Sequence, residues 1–293
     1  MKRWCWTVAC LVMLCPAGRV EAAAPSGAHF EVKLTAVARA QPVTGRLILV
    51  VSAKLEGEPR TQVSWGKDTQ QVFGLDVQGL RPGGSVRIDG SAAGHPLRSL
   101  RDLPAGTYNV QAVLNVYETV RRADGHVLQL PLDGGEGQHW SRSPGNLYSK
   151  ARQVAFDGKG ATLLELSEVI PEIPVPQDTK YVRRASVHSA LLSAFWGREV
   201  VLHAIVLVPE GFDENPQQRY PVAFLQGHFP AGLRSFRETP PDPGAKGEAR
   251  RRQDGAYRFY QEWSAGRLPK MLVVLTQHPT PYYDDSYGVN SAN

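Results

Sequence analysis

Cysteine is nearly missing from this chain. Its three copies, Cys5, Cys10 and Cys15, all fall within the first fifteen residues. If that stretch is a leader, the mature protein has no disulfide, no thiolate nucleophile and no cysteine metal site. Long apolar runs are equally scarce. After residue 15 none is long enough to cross a membrane as a helix. Charge of one sign is not in excess. The formal balance is +5, and two of those charges, Lys2 and Arg3, sit at the N-terminus. The one basic run, Arg250-Arg251-Arg252, is flanked by Glu248 and Asp254, which describes a solvated helix face rather than a nucleic-acid patch. There is no internal repeat.

The first two dozen residues read as a secretory signal. Lys2 and Arg3 supply the positive start, Trp4 to Cys15 the short apolar core, and Val20-Glu21-Ala22 the small-residue cleavage pattern. The cut is expected after Ala22, so residues 1–22 are leader. The mature chain is then secreted or periplasmic, with no membrane span.

The length of 293 residues suits about two domains. From His29 to Ile170 the pattern is β throughout. Phe30, Val32 and Leu34 alternate with polar residues, the period of a half-buried strand. Arg46–Val51, Gln71–Val77, Ser85–Ile88 and Gly106–Val116 follow, with turn composition at Arg81-Pro82-Gly83-Gly84. Short strands at this spacing predict a β-sandwich of immunoglobulin-like type over residues 28–170. The glycine-rich stretch from Leu132 to Lys150 is either a functional loop or a packed surface loop anchored by Trp140 and Tyr148. Pro171-Glu172-Ile173-Pro174-Val175-Pro176 holds the chain extended, as a linker over 171–180 should.

Residues 181–293 read differently. Val200–Val208, Tyr220–Leu225 and Met271–Thr276 are continuous apolar strands. Between the last two, Ala256, Phe259, Tyr260 and Trp263 form one helical stripe that Gly266 and Pro269 terminate. Apolar strands separated by a helix predict a mostly parallel sheet covered on both faces. Ligands bind such sheets at the carboxyl ends of the strands. Gln226-Gly227-His228-Phe229 and Tyr282-Tyr283-Asp284-Asp285-Ser286-Tyr287 follow two of those ends.

Three segments carry a resemblance: Val208-Pro209-Glu210-Gly211-Phe212, Tyr220 to His228, and Tyr282 to Tyr287. Together they are similar to the secreted serine-esterase branch of the α/β-hydrolase fold, the branch of esterase D, enterochelin esterase and antigen 85. The resemblance implies a carboxylic-ester hydrolase working through an acyl-enzyme, with no cofactor or metal and a small-molecule or glycan ester as substrate. It implies an oxyanion loop at Gly227, His228 and Phe229, where one backbone N–H faces the developing negative charge. It places Tyr282, Tyr283, Asp284, Asp285 and Tyr287 at the mouth of the site. For the second loop a self-capping role, with Asp284 or Asp285 capping a helix, stands beside the substrate role. For Gly227-His228 a plain strand-end turn is the alternative.

One feature of the family is missing. Its nucleophile lies in Gly-x-Ser-x-Gly, followed by an acid and then a histidine. Gly83-Gly84-Ser85-Val86-Arg87 lacks the second glycine, and Glu262-Trp263-Ser264-Ala265-Gly266 lacks the first. His228 and His278 come too early in chain order to be the base, and His203, inside a strand, reads as a buried or edge histidine. The resemblance therefore implies the front part of a longer enzyme, a partial α/β-hydrolase domain truncated before the nucleophile elbow, with the triad beyond Asn293. A non-catalytic secreted protein binding carbohydrate or protein is the other reading. The leader predicts that the secreted protein begins at Ala23, within two residues. N-terminal sequencing of the native protein checks it, and an intact Met1 would refute the leader.

Overall fold

The computed structural model describes residues 27–64, 66, 69–121, 125–131, 139–197, 199–226 and 233–277. Two separate sheets account for its strands.

The first sheet contains β1 (His29–Leu34), β2 (Val43–Ser52), β3 (Gln71–Leu80), β4 (Ser85–Ile88), β5 (Ala93–His95), β6 (Gly106–Arg121), β7 (Val127–Pro131), β8 (Leu147–Ser149), β9 (Arg152–Phe156) and β10 (Ala161–Val169). Its main path runs β4-β1-β10-β8-β6-β2-β3-β5, with β7 and β9 also paired to β6. Only β1 and β10 pair in parallel. This corrects the expected sandwich of two separate sheets. The ten strands form one mixed sheet that curls over a single core. Phe30, Leu34, Leu49, Phe73, Ile88, Leu114 and Leu166 all lie in that one cluster. Burying each such side chain stabilises the fold by about 1.5–3 kcal/mol.

The reason for continuity is β6. At 16 residues it outruns any one partner. It pairs with β2 along one edge and with β9, β8 and β7 in turn along the other. Between the β9 ladder, which ends at Val110, and the β8 ladder, which begins at Val113, side chains close the seam. Gln111, fully buried, accepts from the Arg60 N–H at 3.0 Å and donates to the Ser149 carbonyl at 2.8 Å. The Ser149 hydroxyl accepts from the Ala112 N–H at 2.9 Å. Further along, Asn146 accepts from the Val116 N–H and donates to the Trp140 carbonyl. Buried backbone groups left unpaired would cost about 1–3 kcal/mol each, so these polar residues hold the seam shut. They also hold the part of the 132–150 stretch that is described, residues 139–149. Tyr148 lies in β8 beneath the Arg60 guanidinium, 4.4 Å from its ring centre, and Arg60 donates to the Ser141 carbonyl. Residues 139–149 are packed against the sheet.

Residues 171–180 are exposed and form no helix or strand. The second sheet follows, built from β11 (Val182–His188), β12 (Val201–Leu207), β13 (Val222–Gln226) and β14 (Leu272–Gln277), with helices α1 (Ala190–Trp196) and α2 (Gly247–Ser264). The strand order is β11-β12-β14-β13.

This sheet corrects the second half of the expected fold. A mostly parallel α/β-hydrolase sheet with flanking helices is not what forms. Two of the three ladders are antiparallel and only β13–β14 is parallel. A parallel pair needs a crossover, and only the connection through α2 supplies one. β11 and β12 are instead a hairpin closed by α1 and Gly197, whose φ is +63°, a conformation that suits glycine. The stretch from Val208 to Pro221 joins β12 to β13 without a helix. The apolar run of β13 had implied burial on both faces. In the structure Val222 is 47% exposed, Phe224 71% and Leu225 50%.

The α2 stripe packs as its spacing predicts. Ala256 and Trp263 are buried, and Phe259 and Tyr260 join Trp263, Tyr181, Leu207 and Phe236 in one cluster. Trp263 donates from its indole N–H to the Val208 carbonyl at 2.7 Å, which ties helix to sheet. The Arg250–Arg252 run lies on the outer side, with Arg250 paired to Asp254 and Arg252 to Glu248.

At the start of this unit Glu210 accepts from Lys180 Nζ at 2.7 Å and from the Tyr181 hydroxyl at 2.5 Å. The Lys180 hydrogen bond first, and the Tyr181 bond second, hold the Glu210 carboxyl below its ordinary 4.5. A lowered carboxyl contributes stability above 4.5 that is lost as pH falls through the folded-state value. Thermal melts of Glu210→Gln against the parent should show the two proteins converging in acid and diverging at neutral pH. A constant difference across pH would refute the assignment. A second outcome follows from β13, an uncharged apolar edge strand with nothing paired on its outer side among the described residues. Such edges pair with other chains unless a charge blocks them. The 293-residue chain should self-associate in sedimentation velocity, and Phe224→Lys should return it toward monomer. A parent that is monomeric at all concentrations would overturn this.

Candidate functional site at one end of the second sheet

β13 and β14 are neighbours, run in the same direction and stay in register from Val222↔Leu272 to Gln226↔Thr276. Both therefore reach the same end of the sheet. The chain leaves β13 after Gln226 and β14 after Gln277. Gly227, His228 and Phe229 come directly after the first, and Tyr282, Tyr283, Asp284, Asp285 and Tyr287 come shortly after the second. All eight lie outside the described residues; the strands that lead into the two predicted loops end side by side.

The described residues at this end come from the β11–β12 hairpin. β12 runs opposite to β14, with His203 opposite Gln277, and β11 places Ser186 opposite His203. Ser186, His203 and Gln277 thus form one cross-strand row. Ser186 Oγ and His203 Nδ1 are 2.9 Å apart, hydrogen-bonded and exposed. Gln277 Nε2 is buried, with no hydrogen-bond partner among the described residues. Alternation along β12 puts His203 on the same face as Leu207. Leu207 is fully buried in the cluster that holds Trp263, whereas His203, four residues earlier, is exposed.

His203 is thus neither buried nor on an edge strand, as its place in a strand had suggested. β12 has neighbours on both sides. The Ser186–His203 pair itself was not found from sequence. Its only signal is the hairpin register, which pairs positions symmetrically about α1. At the hairpin tip His188 Nε2 lies 3.2 Å from Ser193 Oγ, and Ser193 Oγ accepts from the Val200 N–H. His188 stands opposite Val201, so the two histidines are diagonal neighbours on one face. Among the described residues no group of three histidine, cysteine or acidic side chains converges on a point that would hold a metal.

Chemically, a serine hydrogen-bonded to histidine has the first two members of a relay. Its exposure to water weakens the pair, because only a water-excluded site makes such interactions strong. Apolar side chains surround this end: Val187 is 64% exposed and Leu191 86%, with Phe224 and Leu225 at the β13 side. The end is therefore mixed in character, with polar groups on a central row and apolar surface around them. Among the described residues no helix is long and apolar enough to cross a membrane. No family model matches the chain, and no curated protein matches it.

Proposed function

We propose that this end of the second sheet carries the ester-binding part of a secreted carboxylic-ester hydrolase that works through an acyl-enzyme. The observation that supports it is the parallel, in-register pairing of β13 with β14, which starts both candidate loops at one place. On this reading a backbone N–H of Gly227, His228 or Phe229 stabilises the tetrahedral oxyanion. Tyr282, Tyr283 and Tyr287 stack on the body of a small-molecule or glycan ester, and Asp284 and Asp285 accept from its hydroxyls. The nucleophile is not in these 293 residues, which hold no Gly-x-Ser-x-Gly. No cofactor is needed for such a reaction. The protein acts outside the cytoplasm, as a leader at residues 1–22 requires.

A second reading is a non-catalytic secreted protein that binds carbohydrate or protein. What favours it is the same missing elbow together with the exposed apolar surface of Leu191 and Phe224.

Two enzymes' worth of material separates the readings: the isolated 293-residue chain and the native secreted protein. With p-nitrophenyl butyrate and a fluorophosphonate label, the isolated chain should show no turnover and no labelling, while the native protein should show both. In the native protein, proline substituted in turn at 227, 228 and 229 removes one backbone donor at a time. One of the three should lower kcat by about 100- to 1000-fold with little change in KM, and His228→Ala, which keeps its N–H, should stay near the parent rate. Labelling of the isolated chain would sink the proposal, and an unlabelled native protein would hand the site to the binding reading.

A further inference from the structure

Helix α1 closes the β11–β12 hairpin and is capped at both ends. The Ser189 hydroxyl accepts from the Leu192 N–H, and the Gly197 N–H donates to the Ser193 carbonyl. Its orientation is the reverse of an ordinary surface helix. Ser193, its one polar residue, is turned to the hairpin, where the hydroxyl accepts from the Val200 N–H at 2.9 Å and lies 3.2 Å from His188 Nε2. Leu191 and Phe195 are one turn apart and so share a face. They are 86% and 49% exposed, and Ala190 and Ala194 are exposed beside them. None of the seven residues of α1 is buried. From Ala185 to Gly197 there is no aspartate, glutamate, lysine or arginine. A helix this short is marginal in water, and an amphipathic helix ordinarily turns its apolar stripe to the core. This one turns it away.

We propose that α1 docks the protein on a lipid surface, with Leu191 and Phe195 set among the upper acyl chains. Helices that rest on a bilayer bury their apolar face about 5–10 Å into the headgroup boundary. At seven residues, α1 lies on the surface, because crossing takes about 20. Area decides against a folded protein as the partner. Leu191, Phe195 and the two alanines offer roughly 300 Å², whereas stable protein interfaces bury about 800 Å² on each side. A bilayer needs no matching shape. The uncharged stretch fits the same partner, since a charge carried into the acyl region opposes insertion. Trp196, half-buried and edge-on to Phe195 with ring centres 4.9 Å apart, supplies an indole of the kind that favours the membrane–water boundary. The attraction rests on apolar area, so uncharged lipid is sufficient. It depends neither on the esterase reading nor on the β13 edge.

Phosphatidylcholine vesicles sedimented with the secreted protein test this. The protein should partition onto them, with little change as salt is raised. Leu191→Gln combined with Phe195→Gln keeps good helix formers in place and should lower the partition roughly tenfold or more. Its melting temperature should stay at the parent value, because neither side chain is buried. Phe224→Lys, at the β13 edge, should partition as the parent does. No vesicle binding, parental binding by the double variant, or binding that disappears in high salt would overturn the proposal. So would a double variant that melts lower, which would put another part of this chain on α1. Loss of self-association in the double variant would put a second copy there and overturn it too.

Discussion

Everything in the first unit depends on keeping β6 hydrogen-bonded along both edges. A 16-residue strand spans about 53 Å at ~3.3 Å per residue, and no short partner covers that length. Three strands share the task on one side, and each junction would leave backbone groups buried and unpaired. Gln111, Ser149 and Asn146 supply the missing partners at those junctions. Because the seams are closed, β8 can join β10 to β6 and the sheet curls on itself around one core instead of parting into two layers.

The second unit rests on a smaller lock. Trp263 reaches from α2 to the Val208 carbonyl, the Val208 N–H in turn donates to the Tyr181 carbonyl, and Glu210 gathers Lys180 and Tyr181. This lock sits at the end of the sheet opposite the carboxyl ends of β13 and β14. Helix and aromatic cluster therefore cover Leu207, while Ser186 and His203 are exposed toward the other end. Stability and the candidate site occupy opposite ends of the same four strands.

Much of the local structure was legible. The stripe Ala256, Phe259, Tyr260 and Trp263 has helical spacing and was readable as a buried face. The alternation of Phe30, Val32 and Leu34 marked β1. Sheet direction was not legible in the same way. The apolar run Val222 to Leu225 looks alike whether a strand is covered on both faces or stands open at an edge, and periodicity cannot separate the two. The parallel-sheet reading failed there. The Ser186–His203 contact was hidden for a different reason. It depends on a register between strands, and a shift of one residue would send the two side chains to opposite faces.

By itself the sequence determined the chemistry available to this protein. It determined that all three cysteines fall within the first fifteen residues, a set of short strands and one amphipathic helix, and the lack of a Gly-x-Ser-x-Gly within these 293 residues, because each is a property of residue identity and local spacing. Tertiary structure alone decided which strands became neighbours and in which direction they run. It closed ten strands into one curled sheet, made two of three ladders in the second sheet antiparallel, and left β13 with nothing paired on its outer edge among the described residues. Those outcomes follow from long-range hydrogen bonding and from the lengths of the connections, which link residues far apart in the chain and leave no mark within any single stretch of it.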